Sequence, residues 1–253
     1  MSPKVKKLIT GIGVFLFWIL VWEMIALIIS KSVILPSPPE VLKALLRLLK
    51  TKNFYIACGR SVAYIFAGLS AGIIIGVLLA VLSKTIKLFG VVISHAIEVI
   101  KATPVASVII VMLFIFSKNI VPMLASALMV IPIVFMNIRK GIESVPADKM
   151  EVAEIYNFTS SKKLKLLYLP SALPYFYAGC RSALGLAWKA GIAAEVICVP
   201  KSSIGTMLYS AKIYLESEEL FALTAVIIIL SVIIEKIIIL ALGKLCKGGE
   251  AVL

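Results

Sequence analysis

The chain has 253 residues, 61% of them hydrophobic and 15% charged, with a mean hydropathy of +1.08. Soluble domains hold about 45–50% apolar residues, so a water-soluble globular protein is excluded and an integral membrane protein is expected. The net charge of +13 comes without an aromatic-basic platform or a recognition motif, so nucleic acid is not an expected partner; basic flanks against an anionic cytoplasmic leaflet and membrane lipid account for the excess.

Crossing a hydrocarbon core of ~30 Å takes about 20 apolar residues. The first such run is Leu8–Ile29. Lys4, Lys6 and Lys7 before it have the look of a signal sequence, but the run exceeds a usual signal core and contains Trp18, Trp22 and Glu23, so an uncleaved first helix is expected, with Glu23 reaching the headgroup zone. The segment PSPPEVLKALLRLL then reads as a short amphipathic helix at the interface, started by Pro38 and Pro39. Ser61–Leu82 is the second span, and Gly68, Gly72 and Gly76 give it a small face for close helix packing.

Leu88–Phe116 is too long for one simple span and carries His95, Glu98, Lys101 and Pro104. Pro104 is expected to break or kink it, Glu98 and Lys101 to pair three residues apart, and His95 to hydrogen-bond between helices. Ile120–Ile138 is a clear fourth span, Ala172–Val199 a fifth that carries Arg181, Lys189 and Glu195, and Leu220–Leu242 the last. At about 100° per residue, Arg181, Gly185, Trp188, Ile192 and Glu195 share one direction, with Lys189 at its margin. That face is expected to border a translocation path or a partner, the alternatives being an ion-pair and packing seam or snorkelling ends.

With six spans both termini lie on one side. The basic flanks Lys4, Lys6, Lys7, Lys84, Lys87, Arg139, Lys140, Lys149, Lys162, Lys163, Lys165, Lys244 and Lys247 place that side in the cytoplasm. Cys58, Cys180, Cys198 and Cys246 show no CxxC spacing or His pairing, so no metal site is expected and free thiols are the default, although Cys58 and Cys198 fall on the same side. No nucleophile-base set and no phosphate loop occurs, so the chain is not expected to be an enzyme, and no cofactor is implied.

The stretch KMEVAEIYNFTSSKKLKLLYLPSALP is a charged, helix-like insert between the fourth and fifth spans. Asp148 can cap its first helix, with Glu151 three residues on; Asn157 tolerates a left-handed turn; Ser160 or Ser161 can cap a second helix leading to Leu169-Pro170 and Leu173-Pro174. Ala153 on an exposed side offers close backbone approach to something outside the membrane.

Glu151-Val152-Ala153, the turn at Asn157 and the two Leu-Pro steps resemble the EAA loop of binding-protein-dependent ABC importer permeases, in particular the nitrate, sulfonate and taurine subgroup. The likeness extends to Trp22-Glu23, Leu35-Pro36-Ser37-Pro38 with Glu40-Val41, the glycine-rich second span, Pro104, and Gly179, Arg181, Gly185, Trp188 and Ala194-Glu195 in order. Val152 stands where alanine is usual and Asn157 where glycine is general.

The resemblance implies an all-α, type I importer-like permease, a single domain over residues 1–253 with a cytoplasmic coupling loop at about 139–170, in the inner membrane of a prokaryote. It further implies separate cytoplasmic ABC ATPase subunits gripping Glu151, Val152, Ala153 and Asn157, an extracytoplasmic substrate-binding protein, and a second permease copy in a homodimer. Glu98, Lys101, Pro104, Arg181, Trp188, Lys189 and Glu195 are candidate path residues, and a sulfonate, nitrate or taurine a candidate solute. An ion- or proton-coupled carrier or channel using His95, Glu98 and Glu195 is the alternative; it would be expected to show inverted internal repeats, and none is visible.

Overall fold

The computed structural model describes the backbone of residues 3–250 and the side chains of residues 10–241. The side chains of Lys4, Lys6, Lys7, Lys244, Cys246 and Lys247 lie outside that described set. The regular elements among the described residues are helices. α1 (Pro3–Ile29) is fixed mainly toward its C-terminal end, where Trp22 Nε1 donates to Pro36 O at 3.0 Å and the Trp22 ring stacks on Phe221. Most of its other apolar side chains are exposed, as a lipid-facing helix requires. Glu23, expected to reach the headgroup zone, is half-buried, and its Oε2 has no hydrogen-bond partner among the described residues.

α2 (Pro38–Leu48) starts with two prolines, which need no N–H in a first turn. Glu40 accepts from the Ser37 amide at 2.8 Å and from its hydroxyl at 3.0 Å, closing the start of the helix. Val41, Ala44 and Leu48 fall on one buried face, in a cluster with Leu223 and Val226.

α3 (Lys52–Thr85) leads into α4 (Lys87–Ala102), and α5 (Val105–Ile115) leaves α4 at 106°. The break falls at Thr103-Pro104, both in extended backbone, since a proline clashes with a helical residue before it. Pro104 therefore turns the chain by more than a right angle, well beyond a kink.

α6 (Val121–Glu143) lies between α3 and α9 (Leu169–Cys198), and these two pairings are the most extensive in the molecule. Small residues make the approach possible: a Cβ on Gly68, Gly72 or Gly76 would sit 2.2, 2.6 or 2.9 Å from atoms of α6. The stripe packs within the subunit, and Ile65, Leu69, Val130, Val134, Phe135 and Ala187 form the core around it.

Between α6 and α9 run α7 (Ala147–Ile155), the single turn α8 (Ser160–Lys163) and a π-helical turn over Leu164–Tyr168 that continues into α9. α10 (Ile204–Ile213) and α11 (Ser217–Glu250) complete the chain. Among the described residues, α1, α3, α6 and α11 contain stretches long and apolar enough to cross a membrane, and the bent α4–α5 pair makes up to five. The fifth expected span, α9, is not among these stretches; it carries Arg181, Lys189 and Glu195 and packs against α3, α6 and α11.

Candidate functional site

α7 is preceded by Pro146 in extended backbone, and no side chain caps it. Asp148 thus lies within the first turn rather than at the cap, because the chain enters the helix two residues earlier. Its end is a Schellman motif: Phe158 N bonds Ala153 O at 2.8 Å and Asn157 N bonds Glu154 O at 3.0 Å, with Asn157 at φ 48°. The left-handed turn expected of Asn157 is present. α8 is capped by Thr159, whose hydroxyl faces Lys162 N at 3.4 Å, and not by Ser160 or Ser161. Lys163 and Glu154 approach to 3.8 Å and Lys162 lies over the Phe158 ring, tying the two short helices together.

Ala153 is fully buried, so it faces the protein's own interior and not an outside surface. The exposed face of α7 carries Glu151 with Val152, Ile155 and Tyr156, the last three 50%, 75% and 73% exposed. Sequence reading missed Ile155 and Tyr156. Their signal was present, as large apolar groups on a charged nine-residue helix with little amphipathic order of its own.

The intramembrane residues divide. Glu195 is 1% exposed; its Oε2 accepts from Ser61 Oγ at 2.8 Å and from Gly205 N at 3.0 Å, while Ser61 Oγ accepts from Ile204 N at 3.0 Å. The carboxyl group ties α9 to α3 and closes the first turn of α10, where free N–H groups favour an anion or an acceptor. It does not snorkel. Nothing local in the sequence pointed to Ser61 or Gly205 as its partners.

Trp188 is buried, its Nε1 without a hydrogen-bond partner among the described residues, beside a void of ≈ 10 Å³ that Ser231 and Glu235 also line. Arg181 and Lys189 are exposed. The single face expected of α9 is therefore divided: its C-terminal half is covered by α3, α6 and α10, and Arg181 stays open on the other half.

Glu98 and Lys101 do not pair among the described residues, because Lys101 Nζ turns toward α6 and lies 3.3 Å from Met136 Sδ. His95 bonds within its own helix, Nδ1 to Val91 O at 2.8 Å, and is exposed rather than interhelical. With Glu98, Lys84, Lys87 and Arg139 it lines a polar cleft of about 510 Å³ between α3, α4 and α6, where Arg139 holds Glu143 at 2.9 Å and Ser94 at 2.5 Å. Cys58 and Cys198 form no disulfide. The structure thus sets the α7 helix beside the polar cleft, with Lys84 and Glu143 lining a shallow pocket together with Glu151 and Glu154, while the Glu195 node stands apart and Pro104 belongs to neither.

A family model described as "Binding-protein-dependent transport system inner membrane component" matches residues 72–245, more than half of the chain. The chain is 26% identical over 244 residues to the taurine transport system permease protein TauC of Escherichia coli (strain K12), covering 92% of this chain and 87% of that one. It is 26% identical over 210 residues to the putative aliphatic sulfonates transport permease protein SsuC of Bacillus subtilis (strain 168), covering 81% and 74%. A shorter match, 37% identical over 78 residues, is to the bicarbonate transport system permease protein CmpB of Synechococcus elongatus; it covers 31% of this chain and spans 28% of that relative. Among solved structures, an amino acid ABC transporter crystallised with histidines has the same fold, with TM-score 0.62 and 20% identity over 83% of this chain and 98% of that one.

Proposed function

Because the chain belongs to the family of binding-protein-dependent transport system inner membrane components, we propose that it is the permease subunit of an ATP-driven importer. The observation that carries the mechanism is the α7 surface: Val152, Ile155 and Tyr156 stand exposed beside Glu151 on a helix clamped by a Schellman turn. Apolar anchors ringed by charge suit a groove in a protein partner, here a cytoplasmic ATPase that carries out the hydrolysis. Val152 and Glu151 belong to the contact, Ala153 anchors α7 from within, and Asn157 sets the angle at which the surface is presented.

Movement of α7 has a direct route inward. The π turn runs without a break into α9, and α9 carries displacement about 39 Å along its axis to Glu195, which grips α3 and α10. In this reading α7 and both termini face the cytoplasm, α2 and α10 face the substrate-binding protein, and a second copy completes the path in a prokaryotic cell membrane. Glu98, Lys101, Arg181 and Lys189 are exposed on the protein surface and are the proposed path and dimer-facing groups; Trp188 and Glu195 act from behind them. The relatives named for taurine, sulfonates and bicarbonate support a small anionic solute.

The test is substitution of Ile155→Asp and Glu151→Lys in the assembled transporter, reading co-purified ATPase, hydrolysis stimulated by the binding protein, and uptake. Loss of a buried apolar anchor costs upwards of ~1.4 kcal/mol, so uptake is expected to fall at least about tenfold, with the melting temperature unchanged. Full uptake in both variants would refute the coupling role.

A further inference from the structure

Beside the coupling segment lies a feature the importer reading does not use. A groove of about 500 Å³ opens between α3, α6 and the start of α9, walled by Val81, Ile138, Ile142, Leu164, Leu169 and Phe176. The π turn builds part of that wall. In an α-helix, residues five apart diverge by about 140°, yet the wider turn, closed by Leu169 N on Leu164 O, brings both leucines to the groove. Such turns recur at functional places because they sacrifice regular hydrogen bonding for side-chain placement.

Lys84 stands at the rim of this apolar groove and also lines the adjoining polar cleft together with Lys87. Both lysines are exposed and make no ion pair among the described residues. The acidic groups facing this region are Glu98, Glu143, Glu151 and Glu154; Arg139 holds Glu143 at 2.9 Å and Lys163 approaches Glu154 to 3.8 Å. The place is the end of α3, level with the headgroups when Lys84 and Lys87 face the cytoplasmic, anionic leaflet as proposed above.

We propose that this groove holds an acyl chain of an anionic phospholipid whose phosphate is bound by Lys84 and Lys87. An apolar channel continuous with a cationic rim matches a lipid in both parts, whereas a soluble anion uses only the rim. The lipid braces the π turn against α3 and α6, on the element that joins the α7–α8 hinge to α9, and so bears on coupling.

The experiment is native mass spectrometry of the full-length protein, with whatever subunits co-purify, delipidated in mild detergent and titrated with phosphatidylglycerol or phosphatidylcholine of identical chains. Phosphatidylglycerol is expected to be retained preferentially. K84A/K87A should weaken it about thirtyfold, each lysine near an anionic headgroup contributing roughly a fivefold factor, and V81W, which fills the groove, should displace it. Equal retention of the two lipids, or no effect of K84A/K87A, would overturn the proposal. Full competition by sn-glycerol 3-phosphate with V81W silent would also overturn it, in favour of a free-phosphate site. Lipid retention is read without transport, so its failure leaves the importer reading untouched.

Discussion

Gly68→Ala is the sharpest test of how the central helices are held. A Cβ at Gly68 would lie 2.2 Å from Met123 O and 2.8 Å from Ser126 Cβ, and the first of these is backbone that no rotamer change can move. Restoring an ordinary contact of 3.4 Å means parting α3 from α6 locally by about 1.2 Å. A gap of 0.5–1 Å already forfeits about a quarter to a half of the dispersion well, and overpacking of this kind costs about 1–3 kcal/mol or somewhat more. Replacing glycine by alanine inside a helix returns at most about 1 kcal/mol. The net loss is therefore about 2 kcal/mol, or a melting temperature lowered by about 4–8 °C for a chain of this size.

Gly59→Ala is the matched control, in the same helix with nothing within 4 Å of the added methyl. Thermal unfolding of both variants, followed by size-exclusion chromatography in mild detergent, decides the matter. Gly68→Ala should melt well below wild type and Gly59→Ala at or slightly above it. Equal melting of the two would refute the close α3–α6 seam.

Glu195→Ala would leave the buried Ser61 hydroxyl and Gly205 N–H without their acceptor, at ~1–3 kcal/mol each, while Glu195→Gln keeps an oxygen for both and should melt close to wild type. Equal loss in the two variants would show that charge, and not acceptor geometry, matters there. The Ser37 amide, then its hydroxyl, and more weakly Lys43 hold the Glu40 carboxylate below its usual value of 4.5. Its folded value is the lower one, so the stabilisation is complete above about pH 4.5 and is lost as pH falls through the lowered value. Protection of the Ser37, Glu40 and Val41 amides, taken relative to their intrinsic exchange rates, should fall over that acid window in wild type and show no such fall in Glu40→Gln.

Much of the candidate site was legible from local chemistry. Asn157 was readable as a left-handed turn because few side chains tolerate that backbone, and Pro104 as a break because it removes a donor and restricts its predecessor. The glycine spacing announced a close helix approach. The capping residues were misplaced by one or two positions, since Asp148, Thr159, Ser160 and Ser161 can all cap and only the chain's entry angle chooses among them. Ala153 was assigned the wrong side because a nine-residue helix with so little amphipathic order does not reveal which face the body of the protein covers.

What the sequence by itself determined was the membrane, the family-like loop and the positions where the backbone must turn, for these depend on composition and on the intrinsic limits of single residues. The tertiary structure decided where the polar groups of the bundle go. Glu195 finds Ser61, which is 134 residues away, Lys101 turns to Met136, and Glu98 faces a cleft instead of its neighbour. Such pairings depend on which helix lies opposite at a given height, and helical periodicity fixes the direction of a side chain without saying what waits there.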